Sequence, residues 1–135
     1  MRLTDVKKEK SRGSAFPETV FGWELVLDLY GCNRETISDA DSIRNFAHKL
    51  WNATGLKSAI EPVTPCAVES MKDNKICAII QIIGSGSVTG HFSLVTGAVY
   101  LNIFSLEKFN IAAAENFSKK YFGANTVRSS FIIRK

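Results

Sequence analysis

The chain has 135 residues, a usual length for one domain, and 45% of them are apolar, enough to build one core. Of the net charge of +4, half falls in residues 1–20, so the remainder is nearly balanced and offers none of the basic, aromatic-lined surface that nucleic-acid binding needs. No apolar stretch reaches the roughly 18 residues of a membrane span. The first residues lack the apolar core of a signal peptide. The three cysteines, Cys32, Cys66 and Cys77, form no CxxC pair. A sparse, odd count fits reduced thiols in a cytoplasm, with neither a disulfide framework nor a metal site.

Residues 1–20 read as a flexible basic tail, with the mixed run Lys7-Lys8-Glu9-Lys10 and the breakers Gly13 and Pro17. Residues 21–135 read as a single domain. From Gly22 to Tyr30, apolar Trp23, Leu25, Leu27 and Leu29 alternate with Glu24, Val26 and Asp28, the period of a strand with one apolar face. Ser38, with Asp41 three residues on, reads as the cap of a helix that runs to Gly55 and buries Ile43, Phe46, Ala47, Leu50 and Trp51. Pro62 and Pro65 mark a loop or edge segment around residues 57–68.

Ile76 to Ile83 (ICAIIQII) is almost wholly apolar and reads as a central strand. Val88 to Leu94 and Ala98 to Phe104 read as two more, joined by a turn near Gly97. Asn110 caps a second helix to about Phe122, burying Ala114, Phe117 and Tyr121, with Gly123 as its stop. Val127 to Ile133 is a last strand. This order predicts an α+β fold: a two-layer α/β sandwich whose mainly antiparallel sheet carries two helices on one face.

Some residues invite a chemical reading beside a structural one. Glu24 and Asp28 share a strand face and are candidates for binding a substrate. Trp23 and Phe92 could stack on an adenine or pack in the core. Cys32 and Cys77 could be core thiols or acids. His48 falls on the polar side of its helix. Gly84-Ser85-Gly86-Ser87 lacks the Lys-Ser/Thr ending and following helix of a phosphate-binding loop.

Several stretches, taken in order, resemble the small prokaryotic-type S-adenosylmethionine decarboxylases. Glu24 to Cys32 (ELVLDLYGC) is similar to that family's opening strand, and the Asp39 to Gly55 helix occupies the same place. Ser87-Val88-Thr89-Gly90-His91-Phe92 is similar to the stretch after its cleavage site, and Tyr100 to Ser105 (YLNIFS) to the strand that ends at its catalytic cysteine. The resemblance runs from about Gly22 to Arg134. It implies the same sandwich fold, a dimer, and a pyruvoyl group made from a serine when the chain cuts itself. A histidine assists the cut and a cysteine returns a proton to the substrate.

Carried over residue by residue, the resemblance makes His91 the processing histidine. The cleaved serine, five residues earlier, is here Gly86, which has no hydroxyl. The neighbouring glutamate is missing from Gly84-Ser85, and a serine eight residues before the cut is here Ala78. The acid cysteine, fifteen residues after the histidine, is here Leu106. Ser105 beside it should point to the opposite face. If the turn slips by one residue, Gly86-Ser87 becomes the scissile bond and Ser87 the pyruvoyl source; Ser85 is a poorer candidate of the same kind. Glu69-Ser70 matches the family's Glu-Ser pair by composition alone and reads as a polar loop.

Three readings follow. The first is a non-cleaving homologue, inactive or regulatory in polyamine (spermidine) biosynthesis, without a cofactor. It would form a homodimer, or a heterodimer with an active paralogue, and bind an S-adenosylmethionine-like ligand. The second is an active decarboxylase cut at Gly86-Ser87. The third is an unrelated small-ligand-binding domain.

Overall fold

Alternation along the strands assigns every second residue to one face, and only one face is apolar in β1, so a single layer of helices suffices to cover the sheet. The computed structural model describes residues 17–55, 67–70, 76–83 and 85–135. Its elements are β1 (Gly22–Tyr30), α1 (Arg34–Ser38), α2 (Ala40–Ala53), β2 (Ala67–Ser70), β3 (Ile76–Ile83), β4 (Gly86–Ser93), β5 (Ala98–Ser105), α3 (Ile111–Phe122) and β6 (Thr126–Arg134). Among the described residues the strands form one six-stranded antiparallel sheet in the order β2-β3-β4-β5-β1-β6. Most of the expected tail, and the expected loop with Pro62, Pro65 and Cys66, lie outside the described residues.

The inner face of β1 shows why the sheet is one-sided. Leu25, Leu27 and Leu29 are fully buried, while Glu24, Val26 and Asp28 on the other face are partly exposed. Val88 and Phe92 of β4 and Val99, Leu101 and Ile103 of β5 continue the buried face. From α2 come Ile43, Phe46, Ala47, Leu50 and Trp51, all buried. Side chains of the size of Ile43, Phe46 and Leu50 each contribute roughly 1.5–3 kcal/mol of transfer free energy when fully buried, and Ala47 less. Phe46 lies at the centre of an aromatic cluster, with ring centroids 4.6 Å from Phe122, 5.4 Å from Tyr121 and 5.7 Å from Phe117. Tyr121 Oη donates to the Ser42 carbonyl at 2.6 Å, tying α3 to the start of α2.

The structure corrects the sequence reading in several places. The turn after β1 contains α1, capped by Asn33, whose side chain accepts from Thr36 N at 3.0 Å. Ser38 therefore ends α1 and donates to the Glu35 carbonyl; the cap of α2 is Asp39, which accepts from Ser42 N at 3.3 Å. Glu69-Ser70 belongs to the edge strand β2, not to a loop. β3 is second from that edge and not central, and its outward Ile80 and Ile82 are 55% and 46% exposed. An apolar run thus signalled a strand without signalling cover on both faces. In α3, Phe122 and Ser118 are fully buried while Phe117 and Tyr121 are partly so. Gly123 stops α3 in the left-handed region at φ 64°, where any other residue would be strained.

The cap assignment has a direct test. Replacing Asp39 by alanine should cost about 1 kcal/mol in urea denaturation, the typical loss for a helix cap, and Ser38→Ala should cost clearly less.

Candidate functional site

The residues counted from His91 converge. β4 begins at Gly86 and β5 ends at Ser105, and these two are register partners. Leu106 N donates to the Ser85 carbonyl at 2.7 Å, closing the pair of strands just beyond. An open cavity of about 350 Å³ lies here, lined by Phe21, Ile82, Ser85, Gly86, Ser87, Phe104 and Leu106. That volume is at the small end of ligand-binding clefts. Phe21 and Phe104 form one wall, with ring centroids 6.1 Å apart. Among the described residues, no side chain lining the cavity is ionisable. The only side-chain hydroxyls among them are those of Ser85 and Ser87.

Alternation divides the two candidate cutting positions. Gly86 shares the inner face with fully buried Ser105, and Ser87 shares the outer face with Phe104 and Ile82. A β-carbon on Gly86 would lie 2.7 Å from the Phe104 carbonyl oxygen and 3.0 Å from Trp51 Cη2. The site thus lacks the serine and also the room for one, because backbone stands in the way. Trp51 is buried beneath it, and its indole N–H has no acceptor among the described residues. Ser105 points inward as alternation requires, its Oγ accepting from Glu107 N at 3.0 Å, while Leu106 is 47% exposed at the cavity. These residues do not fit a pyruvoyl group: position 86 cannot supply one, and among the described residues the cavity lining holds no acid to serve one made at Ser87.

His91 is not at the cavity. It is four residues along the continuous strand β4 from Ser87, about 13 Å away, exposed on the same outer face. Its register partners are Ala78 and Tyr100, and Tyr100 in turn partners Asp28. Asp28 accepts from Arg128 at 2.9 Å and from Tyr30 Oη at 3.4 Å. The outer face therefore carries two separate features: the apolar cavity, and a polar row of His91, Tyr100, Asp28 and Arg128.

Glu24 partners Phe104 in the register, which places it beside the cavity. Asn102 Nδ2 donates to it at 2.6 Å and Arg134 Nη1 at 2.6 Å. The hydrogen bond from Asn102 holds its carboxyl below the usual carboxylate range; burial opposes this and Arg134 adds to it. Both candidate carboxylates are thus already paired, and they stand about 13 Å apart along β1. Phe92 is fully buried with its ring centroid 5.5 Å from that of Phe122, so it has no face for a ligand and is corrected to core. Trp23 is partly buried against the core.

Cys32 lies beyond the far end of β1, buried, donating to the Leu29 carbonyl; burial pushes its thiol up to about 11. Cys77 is buried on the inner face of β3. Neither lines the cavity. His48 is exposed on α2. Phe21, Ile82, Phe104, Asn102, Arg128 and Arg134 were not anticipated. Period two places Phe104 and Ser87 on outer faces, but which strands lie side by side is not written in any one segment.

A larger depression of about 500 Å³ sits at the end of α3, lined by Asn116, Lys119, Lys120, Gly123 and Ala124. Its lysines are where cations offset a helix dipole, and no candidate residue reaches it. Among the described residues no His, Cys, Asp and Glu side chains gather so as to hold a metal ion, and no helix is long and apolar enough to cross a membrane.

This geometry has two measurable consequences. Gly86→Ser should lower stability by about 1–3 kcal/mol, the usual cost of overpacking, read as a fall in melting temperature. Glu24 has a depressed folded pKa, so its contribution is present above the ordinary carboxylate pKa near 4.3 and is lost as pH falls through the folded value. Glu24→Gln should therefore cost about 1 kcal/mol at pH 7, and the difference from the parent should shrink in denaturation curves as the pH is taken below the ordinary carboxylate range.

Comparison with known proteins places this geometry in a family. A search of curated proteins gives no match. Among solved structures, the chain is similar to the adenosylmethionine decarboxylase from Aquifex aeolicus VF5, with a TM-score of 0.68 over 86% of this chain and 92% of that one. The sequence identity is 11%, so this likeness concerns the fold. The family model for S-adenosylmethionine decarboxylase matches residues 23–135, from the start of β1 through the whole sheet. The chain belongs to the S-adenosylmethionine decarboxylase family.

Proposed function

We propose that this chain is a non-cleaving S-adenosylmethionine decarboxylase-related protein, catalytically inactive, that acts in cytoplasmic polyamine biosynthesis as a partner or regulator of an active family member. The observation that carries the reading is the cavity lining. Where processing and protonation chemistry would be expected, Gly86 has no hydroxyl and no space for one, and Leu106 has no proton to give. His91 stands about 13 Å along a continuous strand from Ser87, the alternative serine for a cut, beyond the reach of a direct proton transfer.

The outer face supports the partner role. Phe21, Ile80, Ile82, Tyr100, Leu106 and Ile132 are each at least 41% exposed there. Large exposed apolar residues grouped on one face mark interaction surfaces. A second chain of the same family, either a copy or an active paralogue, is the partner we assign to it. The cavity opens on that face and has room for part of an S-adenosylmethionine-like ligand.

Intact-mass spectrometry tests the reading. The expected result is one species at 14.9 kDa. Two fragments, with the C-terminal one blocked by a pyruvoyl group, would overturn it. A second reading, cleavage at Gly86-Ser87, is favoured by one observation: Ser87 and Leu106 line the same cavity. It requires that the protein release carbon dioxide from S-adenosylmethionine and that Ser87→Ala abolish both release and cleavage; absence of release from the unmodified protein rejects it.

A further inference from the structure

We propose that the Phe104 ring is the gate of the outer cavity and that Gly22 is the seat that holds it open. Phe104 lines the cavity beside Ser87, its register partner on β4, and its partner on β1 is Glu24. The ring leans toward β1 and rests on the backbone of Gly22. A β-carbon at Gly22 would stand 2.6 Å from Phe104 Cζ, 2.8 Å from its Cε1 and 3.0 Å from the Ser105 carbonyl oxygen. Gly22 is buried, although it begins its strand. The glycines with positive φ are Gly31, Gly55, Gly97 and Gly123, and Gly22 is not among them. Position 22 therefore needs the missing side chain and not the backbone freedom of glycine.

The neighbours hold this arrangement. Phe21 N donates to the Arg134 carbonyl at 2.7 Å, which anchors the chain just before Gly22. The Phe21 ring then lies against Phe104, with centroids 6.1 Å apart and planes at 32°. Glu24, the next outward residue of β1, is fixed by Asn102 and Arg134, each at 2.6 Å.

A methyl group at residue 22 would take the space the ring now fills. The atoms it meets first are the tip of a rotatable side chain, so the ring moves to another staggered position before the backbone does. The open space beside it is the cavity. A ring turned there lies over Ser87 and closes the cavity. Gly86 makes the contrast: a β-carbon there meets the Phe104 carbonyl oxygen at 2.7 Å, and that oxygen is held in the sheet. The two glycines thus bracket Phe104, one beneath its ring and one against its backbone, and the ring, unlike the backbone, has a second place to go. A ligand that fills the cavity binds the protein with the ring seated and not with the ring turned, so occupancy and ring position are linked. The gate belongs to the cavity already assigned to a ligand, and it depends neither on which ligand that is nor on whether the chain cuts itself.

A thiol at residue 87 reads the gate. In a Cys66→Ser background, with Cys32 and Cys77 buried, Ser87→Cys should react with N-ethylmaleimide. Adding Gly22→Ala should slow that reaction about tenfold, because the rate follows the fraction of molecules whose cavity is open. Adding Phe104→Ala as well should restore the rate, since no ring is left to turn. Asp41→Cys, at an exposed site on α2, should react equally fast with and without Gly22→Ala. In the unsubstituted protein, nuclear Overhauser contacts should join the Phe104 ring protons to the α-protons of Gly22. The proposal is overturned if Gly22→Ala leaves the Ser87→Cys rate unchanged, if it slows Asp41→Cys equally, or if Phe104→Ala fails to restore the rate. Should circular dichroism show that Gly22→Ala does not fold, the Overhauser contacts decide, and ring protons joined to Ser87 and not to Gly22 overturn the proposal. Rates are read by intact mass against the 14.9 kDa chain. A cut chain then appears separately as fragments, which count against the non-cleaving reading and not against the gate.

Discussion

Among the described residues, helices cover the sheet on one side, and nearly everything else about this protein follows from that. Once α2 and α3 claim the inner face through Phe46, Leu50, Trp51 and Phe122, each strand residue is committed by parity either to a dry core or to an open surface. Register cannot drift, because a slip of one residue would carry Leu25, Leu27 and Leu29 to the outer face and Glu24 and Asp28 into the core. Burying those carboxylates away from Arg134 and Arg128 would strand charges, a penalty that no rearranged packing could offset.

Parity also decides what a one-residue shift means at the start of β4. Along the sequence, Gly86 and Ser87 are neighbours and look interchangeable as sites for a cut. In the sheet they face opposite layers. Residue 86 rests on Trp51 and the Phe104 carbonyl, whereas residue 87 looks into the outer cavity. A hydroxyl at 87 is thus not a displaced version of a hydroxyl at 86: it faces the opposite side of the sheet, has different neighbours, and meets no ionisable side chain among the described residues that line its cavity. The two losses counted from His91 meet at one place in space, since Leu106 lines the cavity that Gly86 and Ser87 border. Positions far apart in the sequence thus border one cavity and act on the same chemistry, whatever that chemistry is.

What could be read from the chain, and what could not, divides along physical lines. Local signals were legible. β1 and α3 match their sequence bounds, because alternation, the Asn110 cap and the Gly123 stop each act within a few residues. The cap of α2 was misplaced by one residue because Ser38 and Asp39 are both good caps, and only the intervening helix α1, held by Asn33, decides between them. The apolar run of β3 suggested cover on both faces, yet Ile80 and Ile82 lie open; hydrophobicity records what a surface meets, and that includes partners as well as the core. For Phe92 the sequence leaves adenine stacking and core packing both open, and only the neighbouring helix, which brings Phe122 against it, decides for the core. The cavity itself depends on β4 lying between β3 and β5 and on Phe21 reaching over, which no single segment encodes.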